Sequence, residues 1–292
     1  MLRRKSPSIN TFRLINNSFD CSKFDIETWV TTAVDHNVQN LDLDFQPDTI
    51  FTLPKCLYTC KTLVYLSLGF CAFPLFSGAV SLPSLVKLHL YSIEYAVNET
   101  LPLLLSGCPL LKELIIERIL NHDLGCLDIS SPTLKWLKVN FPFDGSEFGY
   151  PGYRVKINAP ALRYLEVNDC SYELISISPN NSLVEANIWL NNYTLEVDYS
   201  VYTCCVLKFL DSLCNVKCLY LFGWFEKVCM YNLDLALAGS IVKFRNLTKL
   251  ELAADWHFLP KFLESADHLE IIHSFRKQIR QKGFVKRGKE SI

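Results

Sequence analysis

Ten times along this chain three apolar residues recur in one spacing, the second three positions after the first and the third two positions after the second, and an eleventh copy keeps the first two. The set runs Ile9-Phe12-Leu14, Val38-Leu41-Leu43, Leu63-Leu66-Leu68, Leu85-Leu88-Leu90, Leu111-Leu114-Ile116, Leu134-Leu137-Val139, Leu162-Leu165-Val167, Leu183-Ala186-Ile188, Val216-Leu219-Leu221, Leu247-Leu250-Leu252 and a frayed Leu269-Ile272. The middle residues lie 21 to 33 positions apart. Alternate residues of a strand point to opposite sides, so the last two apolar positions of each set face a core and the residues between them face solvent. A unit this short cannot bury its apolar side alone, so neighbours must stack and share one continuous core. The L-x-x-L-x-L pattern at this period is the strand signature of leucine-rich repeats. The expected fold is therefore an α/β leucine-rich-repeat solenoid, with a curved parallel β-sheet on the concave side and helices and irregular loops on the convex side. The repeats are expected to fill residues 1–274 as one domain, followed by a flexible basic tail, 275–292.

The segments between strands carry turn and helix signals. Asp25 to Val30 has helical apolar spacing, and Asn98-Glu99-Thr100 precedes the apolar run Leu101 to Leu105. Gly107-Cys108-Pro109 then punctuates the chain, and Pro54, Pro132 and Pro160 stand ahead of other strands. Cys71, Ile93 and Cys170 occupy the inward position that follows a strand and read as core. Phe141 to Gly152, rich in Gly and Pro, reads as the most flexible insertion.

Composition excludes several functions. At 50% hydrophobic residues the 292-residue chain can bury a large core. Its 29 Lys and Arg against 30 Asp and Glu give no net field to hold nucleic acid or an acidic membrane. The basic run at the C-terminus, from Arg276 to Lys289, reads as a solvated end. Thr62 to Val86 contains no charge, but its prolines, glycines and serines argue against a membrane helix. The 12 cysteines sit in a chain much longer than disulfide scaffolds, and the N-terminus has no apolar signal core, so reduced thiols and a cytoplasmic or nuclear location are expected.

No phosphate loop, dinucleotide-binding glycine run, nucleophile elbow or zinc-protease helix occurs, so no enzyme activity, cofactor or catalytic residue is expected. Cys204, Cys205, Cys214 and Cys218 lack the paired C-x-x-C spacing of a metal site. The candidate site is instead the solvent side of the strands: Tyr65, Ser67, Lys87, His89, Glu113, Trp136, Lys138, Tyr164, Glu166, Glu185, Asn187, Trp189, Tyr220, Lys249 and Glu251. Exposed aromatics supply interface anchors, and interspersed charges of both signs set specificity.

Three segments tie the chain to a family. Leu53-Pro54 is followed by Thr59-Cys60-Lys61-Thr62-Leu63-Val64-Tyr65-Leu66, Leu82-Pro83-Ser84-Leu85 leads to Leu88-His89-Leu90, and Leu104-Leu105-Ser106-Gly107-Cys108-Pro109 runs into Leu110-Leu111-Lys112-Glu113-Leu114. With Trp29, Ala33 and Val38 to Leu43, these resemble the plant F-box/LRR-repeat family, often laid out as F-box, repeats and FBD. The resemblance implies a protein partner on the concave face, in the role of the substrate receptor of an SCF-type ubiquitin ligase. The family's F-box has no counterpart before Ile9 and its FBD-like end is not matched, so binding to the ligase adaptor is expected only with an F-box upstream. A small-molecule receptor and a degenerate, decoy-like paralogue are the alternative readings.

Overall fold

All eleven apolar sets place their middle residue on a strand of one parallel sheet, in chain order, with the first residue two positions ahead of the strand. In the computed structural model the described residues are 8–15, 22–45, 51–74, 78–119, 126–141, 154–169, 175–190, 208–223, 243–252, 263–264 and 266–274. The strands are β1 (Thr11–Ile15), β2 (Asn40–Asp44), β3 (Phe51–Thr52), β4 (Tyr65–Gly69), β5 (Cys71–Phe73), β6 (Lys87–Tyr95), β7 (Glu113–Ile119) and β8 (Cys126–Ser130). They continue as β9 (Trp136–Asn140), β10 (Arg154–Asn158), β11 (Tyr164–Asp169), β12 (Ile175–Ile177), β13 (Glu185–Leu190), β14 (Cys218–Gly223), β15 (Lys249–Leu252) and β16 (Ile271–Ser274). The long sheet runs β1-β2-β4-β6-β7-β9-β11-β13-β14-β15-β16. Equivalent leucines stand in register, Leu41 against Leu66, Leu88 against Leu114, Leu137 against Leu165. The fold is a leucine-rich-repeat solenoid.

Register follows from burial, because a slip of one residue would turn every leucine to water. Leu41, Leu66, Leu88, Leu114, Leu137, Leu165, Ala186, Leu219 and Leu250 are all buried, and one apolar cluster joins every repeat from Ile26 to Ala266. Cys71 and Ile93 pack inward as the sequence suggests. Cys170, Cys204, Cys205, most of the Phe141 to Gly152 insertion and the 275–292 tail lie outside the described residues.

Two α-helices that are described in full line the opposite side. α1 (Lys23–Asp35) begins two residues before the apolar spacing suggests, because Ser22 caps it: its Oγ accepts from the Asp25 amide at 3.2 Å and the Asp25 carboxylate accepts from the Ser22 amide at 3.3 Å. Ile26, Val30 and Ala33 form its buried stripe, and Asn37, at φ 59°, turns the chain back into β2. α2 (Thr100–Ser106) buries Leu101, Leu104 and Leu105. Asn98 does not cap it; its Oδ1 accepts instead from the Cys126 amide at 3.5 Å.

Strands join the helices and loops on the convex side. β8, β10 and β12 form a separate three-stranded parallel ladder, burying Leu127 and Ile129, Val155 and Ile157. β3, β5 and the end of β6 pair likewise. Phe70 and Ser92 stand at equivalent places in consecutive repeats, and both adopt left-handed backbone, φ 51° and 50°. That conformation swings the chain from the concave sheet into the second ladder.

Candidate protein-binding surface

The solvent side of the long sheet is a grid of three rows, because parallel pairing places equivalent residues of successive repeats side by side about 4.8 Å apart. The first row reads Tyr65, Lys87, Glu113, Trp136, Tyr164, Glu185, Cys218 and Lys249. The second reads Ser67, His89, Ile115, Lys138, Glu166, Asn187, Tyr220 and Glu251. The third holds Tyr91, Glu117, Asn140, Asn168, Trp189 and Phe222. Every candidate drawn from the sequence therefore stands on this one face. Lys87 and Trp189 are exposed and the others are half-buried by their neighbours.

The grid is held by contacts between strands. Lys87 and Glu113 pair at 2.7 Å. Lys138 bridges two carboxylates, Glu117 and Glu166, at 3.3 Å each. Glu117 also meets His89 Nε2 at 3.4 Å, and the Tyr164 hydroxyl donates to Glu166 at 3.0 Å. The hydrogen bond from His89 leads in lowering the Glu117 carboxyl to about 2, with Lys138 adding to it and burial opposing. The Lys138 ammonium is raised: burial pulls it down, but the Glu166 and Glu117 carboxylates outweigh that. Burial, then the bond to Glu166, pushes the Tyr164 phenol up to about 12. At neutral pH Glu117 and Lys138 are therefore both ionised, while Tyr164 keeps its proton.

Aromatic pairs flank it. Trp136 and Tyr164 stack with centroids 5.3 Å apart and planes 3° from parallel. Trp189 and Phe222 stack at 4.5 Å, with Trp189 38% exposed. The Lys249 ammonium sits 5.0 Å from the Tyr220 ring centroid and donates to its hydroxyl at 3.1 Å. Such rings, rigid and partly wet, are suited to anchoring a partner.

Glu117, Asn140, Asn168 and Phe222 belong to the same face and are absent from the sequence-derived set. They lie one position past the strand triplet and two past the last outward residue within it, and carrying the alternation one step further finds them. Among the described residues no three His, Cys, Asp or Glu side chains converge as metal ligands. Nor is any described helix long and apolar enough to cross a membrane.

Comparison with known proteins agrees with the repeat fold. A family profile described as the LRR repeats of FBD-associated F-box protein At5g56370 matches residues 26–149. F-box/FBD/LRR-repeat protein At4g00160 of Arabidopsis thaliana is 34% identical over 280 residues, covering 93% of this chain and 56% of that protein. F-box/LRR-repeat protein At4g14103, from the same plant, is 30% identical over 260 residues, 84% of this chain and 65% of its own length. F-box/FBD/LRR-repeat protein At5g56420, also from Arabidopsis thaliana, is 28% identical over 291 residues, 96% of this chain and 63% of that protein. The chain thus spans less than two thirds of each of these relatives.

Proposed function

The chain belongs to the plant F-box/LRR-repeat family, and on that premise we propose that it is a protein-binding module acting as the substrate-receptor part of an SCF-type ubiquitin ligase. The observation that carries this reading is the unbroken parallel sheet, whose solvent side presents Trp136, Tyr164, Trp189 and Phe222 among ionised side chains. An array about 50 Å long, eleven strands at about 4.8 Å, matches the reach of a protein partner better than that of a small molecule. The names of the relatives add the F-box, the module through which such a receptor would meet its ligase. Sheet residues would select the partner, and the F-box would bring it to the ubiquitin-transferring machinery.

The test is capture from plant extract by three purified forms: the unaltered chain, a sheet variant Trp189→Glu, and a back-side variant Lys156→Glu on exposed β10. The reading expects one set of proteins retained by the unaltered chain and by Lys156→Glu, and lost by Trp189→Glu. Equal retention by all three, or loss only with the back-side change, refutes it. The ligase role is tested separately, by whether captured proteins become ubiquitinated when the adaptor and cullin are supplied to the form of the protein that carries an F-box.

A further inference from the structure

The middle of the sheet face holds more acid than base, and it holds it beside half-buried aromatic rings. Lys138 is the only permanent cation among Glu117, Glu166 and Glu185 in the described grid, and it is already shared between the first two. Glu185 stands in no ion pair among the described residues, and the nearest cation beyond it in its row, Lys249, is held over Tyr220. Glu185 is in register with Tyr164, the last ring of the Trp136–Tyr164 stack. A ring stacked on its neighbour across strands leaves its other face toward the next strand, and here that strand carries the unpaired carboxylate.

A flat ring face next to a lone carboxylate is complementary to a flat cation. Guanidinium stacks on aromatic faces and presents paired N–H donors to a carboxylate, whereas ammonium is a compact, strongly hydrated point charge. The same sheet already shows that its aromatic rings accept a cation, in Lys249 over Tyr220. Resting on the protein-binding reading above, we propose that this face takes a partner segment carrying an arginine, whose guanidinium continues the Trp136–Tyr164 stack and pairs with Glu185. Trp189 and Phe222, four residues along from the Tyr164 row and one and two strands across from Tyr164, would hold the apolar neighbours of that arginine.

The probe is a randomised peptide library displayed on phage and selected on the purified full chain, followed by titration of the selected peptides. The expected result is arginine at one shared position, with its replacement by glutamine weakening binding about 5- to 30-fold, the range for a partly desolvated cation on a ring and a carboxylate. Glu185→Gln and Tyr164→Leu should each erase the preference, Glu185→Asp should restore most of it, and Glu185→Lys should turn selection toward acidic peptides. Melting curves of each variant confirm that the fold is kept. Selected peptides without a basic residue, or an arginine preference that survives Glu185→Gln, overturn the inference and leave protein binding standing. Recovery of no peptide also overturns it, while the capture experiment decides protein binding on its own.

Discussion

Trp136 and Leu137 are adjacent on β9 yet should differ sharply when truncated, because one faces solvent and the other the shared core. Leu137 is fully buried between Leu114 and Leu165, its register partners on the two flanking strands. Leu137→Ala removes about three methylene-sized groups, roughly 2.4 kcal/mol of transfer energy at about 0.8 each. With the cavity left between two repeats, the whole loss should be about 2–5 kcal/mol. Trp136→Leu keeps an apolar strand residue and forfeits chiefly the stack on Tyr164, about 0.5–1.5 kcal/mol. Urea unfolding followed by far-ultraviolet circular dichroism separates the two. At a slope of about 3 kcal/mol/M, Leu137→Ala should lower the midpoint by about 1 M and Trp136→Leu by about 0.5 M or less. The slope itself should fall for Leu137→Ala, since weakening both interfaces of one repeat lets the halves of a solenoid unfold separately. Equal shifts from the two changes would refute the assignment of the strand faces.

Other expectations come from particular sites. A Cβ at Gly107 would lie 2.6 Å from the Val80 carbonyl oxygen, so Gly107→Ala should cost about 1–3 kcal/mol, read as a lower thermal midpoint, although φ there is an ordinary −79°. Ser92 is left-handed, and its buried hydroxyl has no hydrogen-bond partner among the described residues, so Ser92→Gly should raise the thermal midpoint and Ser92→Val should lower it. Glu117 is about 2 in the folded chain against an ordinary 4.5. Its stabilisation is therefore complete above pH 4.5 and drains as pH falls toward 2, and stability curves of Glu117→Gln and the unaltered chain should converge across that window. Persistence of the full difference at pH 2 would contradict the assignment.

Much of this was legible because burial on one face imposes a period of two on every strand, and eleven copies of it align themselves. Aligning the leucines also puts Lys138 beside Glu166. What the alignment does not settle is that Lys138 reaches diagonally to Glu117 as well, a choice made by side-chain reach in three dimensions. The back ladder of β8, β10 and β12 was less legible: Leu127-x-Ile129, Val155-x-Ile157 and Ile175-x-Ile177 carry alternation too short to stand out from loop sequence. Gly107 reads from sequence as a helix stop. Its tighter constraint, the approach of the Val80 backbone, comes from a segment 27 positions away that no local pattern indicates.

The central claim, that the solvent side of the long sheet is where a protein partner lies, is tested most directly by a photo-crosslinking residue placed in turn at Glu185, Tyr220 and, on the back, Lys156. In plant extract, adducts with the same protein from Glu185 and Tyr220, and none from Lys156, are the predicted result. Adducts from Lys156 alone would contradict it.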